Sequence, residues 1–137
     1  MRDDHTMLQS VVVLDLVAPE EPRVSVAVEL RYDTRDPYAV TAAFRVPPTG
    51  SVVWCFARDL LADGLIAEAG LGDVRIRPAA ADPALVDLTI SSPAGLATFV
   101  AFAEDLADFL DDTYDLVPPG AEGQWVSVDD ALTTLTA

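Results

Sequence analysis

Apolar residues recur at every second position through much of the first half of the chain. In Arg23–Tyr32, Val24, Val26, Val28 and Leu30 alternate with polar or small residues, the period of a strand with one buried face. Met7–Val17 is rich in β-branched residues and reads as a preceding strand, joined to it through the prolines of 18–22 as a hairpin. Asp33–Pro37 has the composition of a polar turn, with side chains able to bond their own backbone. Tyr38–Val46 resumes the alternation with Val40, Ala42, Phe44 and Val46, residues 47–50 turn again, and Ser51–Phe56 forms a fourth strand. The period then changes. Leu60, Leu61 and Leu65 predict a short helix over Arg58–Ala69, ended by Gly70 and Gly72. Asp73–Pro78 alternates Val74 and Ile76 inward against Arg75 and Arg77 outward, and Ala84–Ser91 is a sixth strand after an alanine-rich turn. Ser92 and Pro93 stand as the cap and first turn of a long helix over 93–113. Its stripe is Leu96, Phe99, Ala103, Leu106 and Leu110, widened by Phe102 and Phe109. Pro118-Pro119-Gly120 stops it, residues 124–128 read as extended, and Ser127–Asp130 predicts a capped helical turn running to Leu135. Residues 1–6 are polar and expected to fray.

These elements predict an α+β fold, a strongly bent antiparallel sheet with two to three α-helices, in a single domain over 1–137. A chain of 14.6 kDa should bury roughly two-thirds of its unfolded surface. At 51% hydrophobic residues it carries more apolar surface than so small a core absorbs, which points to contact between subunits.

Charge narrows the choice of partner. The net charge is −15, all eight cations are arginines at or before Arg77, and residues 78–137 hold eleven acids and no cation. Such a field repels phosphate backbones and anionic membrane surfaces, so nucleic acid and direct membrane insertion are not expected. No apolar run reaches bilayer length, and no secretory leader is visible in Met1–Val17. With Cys55 as the lone cysteine, a reducing cytoplasm suits the chain.

Candidate chemistry is sparse. His5 lies in a polar tail, and Cys55, between Trp54 and Phe56, has no charge partner in sequence to lower its pKa, which makes it a packed or interface thiol. Trp54 and Trp125 are expected in the core or at a subunit contact. There is no phosphate loop, metal-spaced His/Cys cluster or serine elbow, so neither enzyme activity, nor a cofactor, nor a metal is expected. Two features remain. On the 93–113 helix, Glu104, Asp108 and Asp112 are like charges at four-residue steps, and acids crowd the end where the helix dipole prefers cations. This arrangement suits a solvated face, or one that meets an arginine of a neighbouring subunit or a partner. The second feature is the 31–38 turn. Tyr32, Arg35, Asp36 and Tyr38, with Arg58, combine the residue types that anchor protein interfaces, although alternating signs at this spacing also suit local ion pairs.

The stretches "RYDTRDPYAV" and "VVWCFARDLLADGL", with Gly72-Asp73-Val74, Ser91-Ser92-Pro93 and Pro118-Pro119-Gly120, resemble the SsgA-like sporulation and septum-site proteins of actinomycetes, over most of the chain after residue 23. The resemblance implies a whirly-like fold that assembles into trimers and regulates sporulation-specific cell division. It also implies action through protein contacts at division septa, with FtsZ or another SsgA-like protein as partner. A different reading of a whirly-like fold is single-stranded nucleic-acid binding, for which Arg75 and Arg77 on one strand face are the only candidates.

Overall fold

The computed structural model describes residues 5–17, 22–46, 50–70, 72–93 and 95–126. The turns expected at 18–22 and 47–50 lie largely outside these residues, as do the capped turn from Ser127 to Leu135 and the first four residues. The chain opens with four strands in a meander: β1 (Met7–Val17), β2 (Val24–Asp33), β3 (Ala39–Val46) and β4 (Gly50–Ala57). Helix α1 (Arg58–Gly64) follows, then β5 (Val74–Pro78), β6 (Leu85–Ser92), β7 (Gly95–Phe102), helix α2 (Ala103–Leu116) and a 3-10 turn over Glu122–Gln124. All strand pairs are antiparallel, in the order β4-β3-β2-β1-β7-β6-β5. The bent antiparallel sheet is therefore present, with seven strands and two α-helices among the described residues.

Alternation decides the faces. Val28, Leu30 and Tyr32 of β2 and Val40, Ala42 and Phe44 of β3 are buried, as are Val74 and Ile76 of β5 with Arg75 and Arg77 exposed outside them. Val24, expected inward, is 57% exposed. It pairs with Leu16 at the far end of the β1–β2 hairpin, beyond the packed centre of the sheet. The sheet curls until Phe44 of β3 meets Phe99 of β7, with ring centroids 4.8 Å apart. Leu61 of α1 and Leu106 of α2 fill the space that the curl encloses.

The helix expected over 93–113 is replaced by two elements. Residues 95–102 form β7, and α2 begins only at Ala103. Ala97, Phe99 and Ala101 face inward in period two, and Ser92 pairs directly with Gly95, whose φ of +133° closes a hairpin onto β6. Leu96, placed in the helical stripe, is 74% exposed. The apolar positions here satisfy both periods, and pairing with β6 along the whole strand selects the extended one. The first helix is also shorter than expected. It ends at Gly64, where the lack of a side chain lets the chain pass against Ile76 of β5. Residues 124–128 were expected to be extended, but the 3-10 turn reaches Gln124 and Trp125 packs in the core, 9% exposed.

One seam governs the rest. β1 pairs with β2 over ten residue pairs, but with β7 only through Asp15–Val100, Leu16–Phe99 and Val17–Thr98. On the N-terminal side of Asp15 the two strands part, and α2, leaving the end of β7, packs against β1 and β7.

Candidate interaction surfaces

The 31–38 turn is built from its own polar groups. Asp33 Oδ1 accepts the Arg35 backbone N–H at 2.9 Å, the Asp33 carbonyl accepts the Asp36 N–H, and Tyr32 Oη donates to the Pro37 carbonyl at 2.8 Å. Arg35 also reaches Asp33 Oδ2 at 3.5 Å across an exposed surface. The preceding chain is not frayed at residues 5 and 6. The Thr6 N–H donates to Thr34 Oγ1 at 2.9 Å, the Thr34 N–H to the Thr6 carbonyl at 3.0 Å, and His5 Nδ1 lies 3.1 Å from the same hydroxyl. Arg35, Asp36 and Tyr38 are exposed, but Tyr32 and Arg58 are each 1% exposed. The two buried residues leave the expected docking surface.

Arg58 has a different task. It opens α1, and its guanidinium crosses to the C-terminal end of α2, which has no basic residue in its last turn. Nη1 donates to the Val117 carbonyl at 2.7 Å and the Thr113 carbonyl at 3.4 Å, and Nη2 donates to Glu122 Oε1 at 2.7 Å. The guanidinium carbon lies 5.1 Å from the Tyr32 ring centre and 4.9 Å from that of Tyr114. A cation therefore answers the negative end of the helix dipole and the Val117 carbonyl, which the helix leaves unpaired, while the Thr113 carbonyl also accepts the Val117 N–H at 2.8 Å. It comes from the same chain rather than from a neighbour. Nε alone has no hydrogen-bond partner among the described residues. Burial raises the Glu122 carboxyl, but its own backbone N–H, the Arg58 guanidinium and the Gly120 backbone N–H outweigh that and hold it below the usual carboxylate range. Burial pushes the Tyr32 hydroxyl up to about 12, against the opposing pull of Arg58. The ion pair of Arg58 is with Glu122 and not with Asp59, its neighbour in sequence. Arg31 pairs with Glu29 at 2.5 Å.

Glu104, Asp108 and Asp112 are exposed on one face of α2. Asp108 and Asp112, with Asp105, form one wall of an open groove of about 720 Å³ whose opposite wall is Ser10–Val13 of β1. Thus the expected site residues divide. The acids line or flank this groove, Arg35, Asp36 and Tyr38 stay on the turn, and Tyr32 and Arg58 lie beneath it.

A second open surface is apolar. At the mouth of the curl, Phe44, Val52 and Trp54 face Ile90, Leu96 and Phe99 around a groove of about 390 Å³, in which Ser92 is the one polar lining residue among the described residues. Val52 and Leu96 are 47% and 74% exposed. Cys55, one position along β4, is exposed rather than packed. Among the described residues no cluster of His, Cys, Asp and Glu is arranged to hold a metal ion, and no helix is long and apolar enough to cross a membrane.

Residues 26–122 match the family model of the Streptomyces sporulation and cell division protein SsgA. This chain belongs to the SsgA family. Its relatives include the sporulation-specific cell division protein SsgB of Saccharopolyspora erythraea, 65% identical over 98% of this chain and 96% of that protein. SsgB of Thermobifida fusca is 41% identical over 94% of each chain. The solved structure of an SsgA-like sporulation-specific cell division protein from Thermobifida fusca matches with a TM-score of 0.86 and 39% identity, covering 98% of this chain and 99% of that one. A second solved structure, associated with SsgB mutations that correlate to longitudinal cell division during sporulation of Streptomyces coelicolor, matches with a TM-score of 0.83 and 41% identity, covering 91% and 99%. The SsgA family match includes the turn, Arg58 and Glu122.

The buried role of Arg58 left little trace in sequence. Its partner Glu122 lies 64 positions away, whereas Asp59 is adjacent. The one available signal was a C-terminal end of α2 crowded with acids and lacking a cation, which requires a positive charge from elsewhere in the fold.

Proposed function

We propose that this chain is a non-enzymatic regulator of sporulation-specific cell division that positions septum components through protein contacts. Family membership supports the process, and the apolar mouth formed by Val52, Trp54 and Leu96 supports the mode. An open apolar groove on a small domain is a contact surface, and homo-oligomerisation, as a whirly-like trimer, would cover it. The assembled body then presents several copies of its polar surfaces, so that weak docking gains selectivity through avidity. Arg35, Asp36 and Tyr38 remain the turn's contribution to docking, and Glu104, Asp108 and Asp112 that of α2. The partner is a divisome protein such as FtsZ or another SsgA-like protein, met in the cytoplasm at division septa.

The test is replacement of the gene in a sporulating actinomycete, with septa counted and a fluorescent fusion tracked against FtsZ rings. Sporulation septa should be lost without the protein and restored by it. Normal septation in its absence would refute the role. Val52→Asp with Leu96→Asp should change the mass found by light scattering, and an unchanged mass would remove the mouth as the subunit contact. The second reading, a single-stranded nucleic-acid binder, rests on Arg75 and Arg77 sharing an exposed face. Arg77 is drawn to Asp87 at 3.6 Å, and the −15 field opposes phosphate. Oligonucleotide binding with a steep salt dependence would establish it.

A further inference from the structure

The groove between β1 and α2 contains an open strand edge. The Thr34 N–H bonds to the Thr6 carbonyl, in the same register that pairs Met7 with Asp33. In an antiparallel ladder the backbone groups of successive residues point to opposite sides. The even-numbered residues of β1 therefore direct N–H and C=O toward β2, and the odd-numbered ones direct theirs away. Asp15 and Val17 find β7 on that side. Val11 and Val13 do not: β1 and β7 part before Val13, which the register would set opposite Phe102, the last residue of β7, and α2 begins at Ala103, so no backbone partner for them occurs among the described residues. Four consecutive residues, Ser10–Val13, line the groove, as expected where a strand presents its edge.

The opposite wall sets what fits. Asp105, Asp108 and Asp112 lie one helical turn apart along α2, Asp15 and Asp82 also line the groove, and among the described residues Arg23 is the only cation in the lining. The exposed side chains beside them are Val11, Val13 and Phe102, at 67%, 53% and 60%. A volume of about 720 Å³ accommodates several residues of extended chain.

We propose that this groove takes an extended, basic segment of a partner protein as an added strand. The segment's backbone pairs with the open edge of β1 at Val11 and Val13. Its alternate side chains are arginine or lysine, meeting Asp105, Asp108 and Asp112, and apolar residues, covering Phe102 and the valines. Strand addition supplies affinity through main-chain hydrogen bonds, and the pockets for alternate side chains supply selectivity. Proteins usually blunt an open edge with cations or prolines, and this one is instead faced by a row of acids across a gap. An acidic segment, such as residues 127–137 of this chain with Asp129 and Asp130, is repelled by that row. The inference rests on the reading that the chain works by protein contact and names the chemistry of one such contact.

The probe is a fluorescent octapeptide of alternating arginine and valine, titrated against the full chain by anisotropy. Two controls accompany it: the glutamate–valine peptide, and the arginine peptide N-methylated at every second residue. The arginine peptide should bind, with affinity falling as salt rises. Asp108→Asn with Asp112→Asn, and separately N-methylation, should each weaken binding by about tenfold or more. Val11→Pro removes a donor that the β1–β2 ladder does not use, so the fold should persist while binding falls. No binding of the arginine peptide overturns the proposal. So does equal binding of the methylated peptide, which would mean simple attraction to an acidic surface. Dissociation of a self-associated form by the arginine peptide, seen as a fall in mass by light scattering, would make the groove's occupant a second copy, which also overturns it. In cells, normal septation by a folded Asp108→Asn/Asp112→Asn variant, with septa still lost on deletion, defeats the groove and leaves the broader role standing.

Discussion

Charge is used in opposite ways at two places on α2. At its C-terminal end one arginine and one carboxylate are buried together, with carbonyls and two aromatic rings around them. Along its exposed face, Glu104, Asp108 and Asp112 face solvent or the groove, and no ion pair joins them to another described residue. Arg58 of the first set and all three acids of the second stood out in the sequence as candidates for docking. Only the second is placed to meet anything outside the chain. The first ties the start of α1, the end of α2, the Glu122 turn and the end of β2 into one knot, so its loss should be felt as instability.

The widest separation is expected from Arg58→Met. It strands Glu122 in a buried site and leaves the Val117 carbonyl without its donor, a cost of about 3–5 kcal/mol in urea unfolding. Adding Glu122→Gln to it should recover part of that loss, because the two sites share one interaction. A loss for Arg58→Met below about 0.5 kcal/mol, the range of ordinary surface changes, would erase the distinction. Next comes Tyr32→Phe, which leaves the Pro37 carbonyl without its donor at a cost of about 1–3 kcal/mol. It also bears on alkaline stability. Tyr32 ionises at about 12 when folded and at its ordinary 10.0 when unfolded, so its contribution is complete below pH 10 and declines as pH rises toward 12. The phenylalanine variant should lose that part of the decline in a pH series of unfolding midpoints.

The acid limb is smaller and of opposite sign. Glu122 has a folded pKa below its ordinary 4.5, so its contribution is complete above that pH and disappears as pH falls through the folded value. Glu122→Gln should flatten the loss of stability below about pH 4.5, and an unchanged acid slope would assign it to other carboxylates. The smallest effect belongs to the exposed face. Asp108→Asn with Asp112→Asn should raise stability by a few tenths of a kcal/mol at low salt and by less at high salt, since like-charge repulsion at i, i+4 is weak and screened. Destabilisation beyond about 1 kcal/mol would mean that these acids hold the fold, as the knot does.

Strands were legible wherever alternation met a polar turn. β2, β3 and β5 follow from Val28 and Leu30, Val40 and Phe44, and Val74 and Ile76, because burying one face leaves a two-residue period. The helix placed over 93–113 failed for a physical reason. Leu96, Phe99, Ala103 and Leu106 fit a helical stripe, but Phe99 and Ala101 are held by neighbouring strands, and a single sequence does not contain that competition. Site residues divided by the same logic. Exposure of Arg35, Asp36 and Asp108 followed from local polarity, whereas the burial of Arg58 depends on Val117 and Glu122, brought near only by the closed fold. The open edge of β1 was invisible too, since it exists because β1 and β7 part after three residue pairs.

The three-rung seam between β1 and β7 has a kinetic meaning. It is the strand pairing that joins the β1–β4 meander to the β5–β7 meander, and it brings together Asp15 and Val100, about 85 positions apart. Each meander is stitched by near neighbours, so each is quick to assemble, whereas closing so long a loop costs entropy before any contact repays it. The chain should therefore reach its native form by the late docking of two preassembled pieces, and substitutions along this seam should slow that step more than those within either piece.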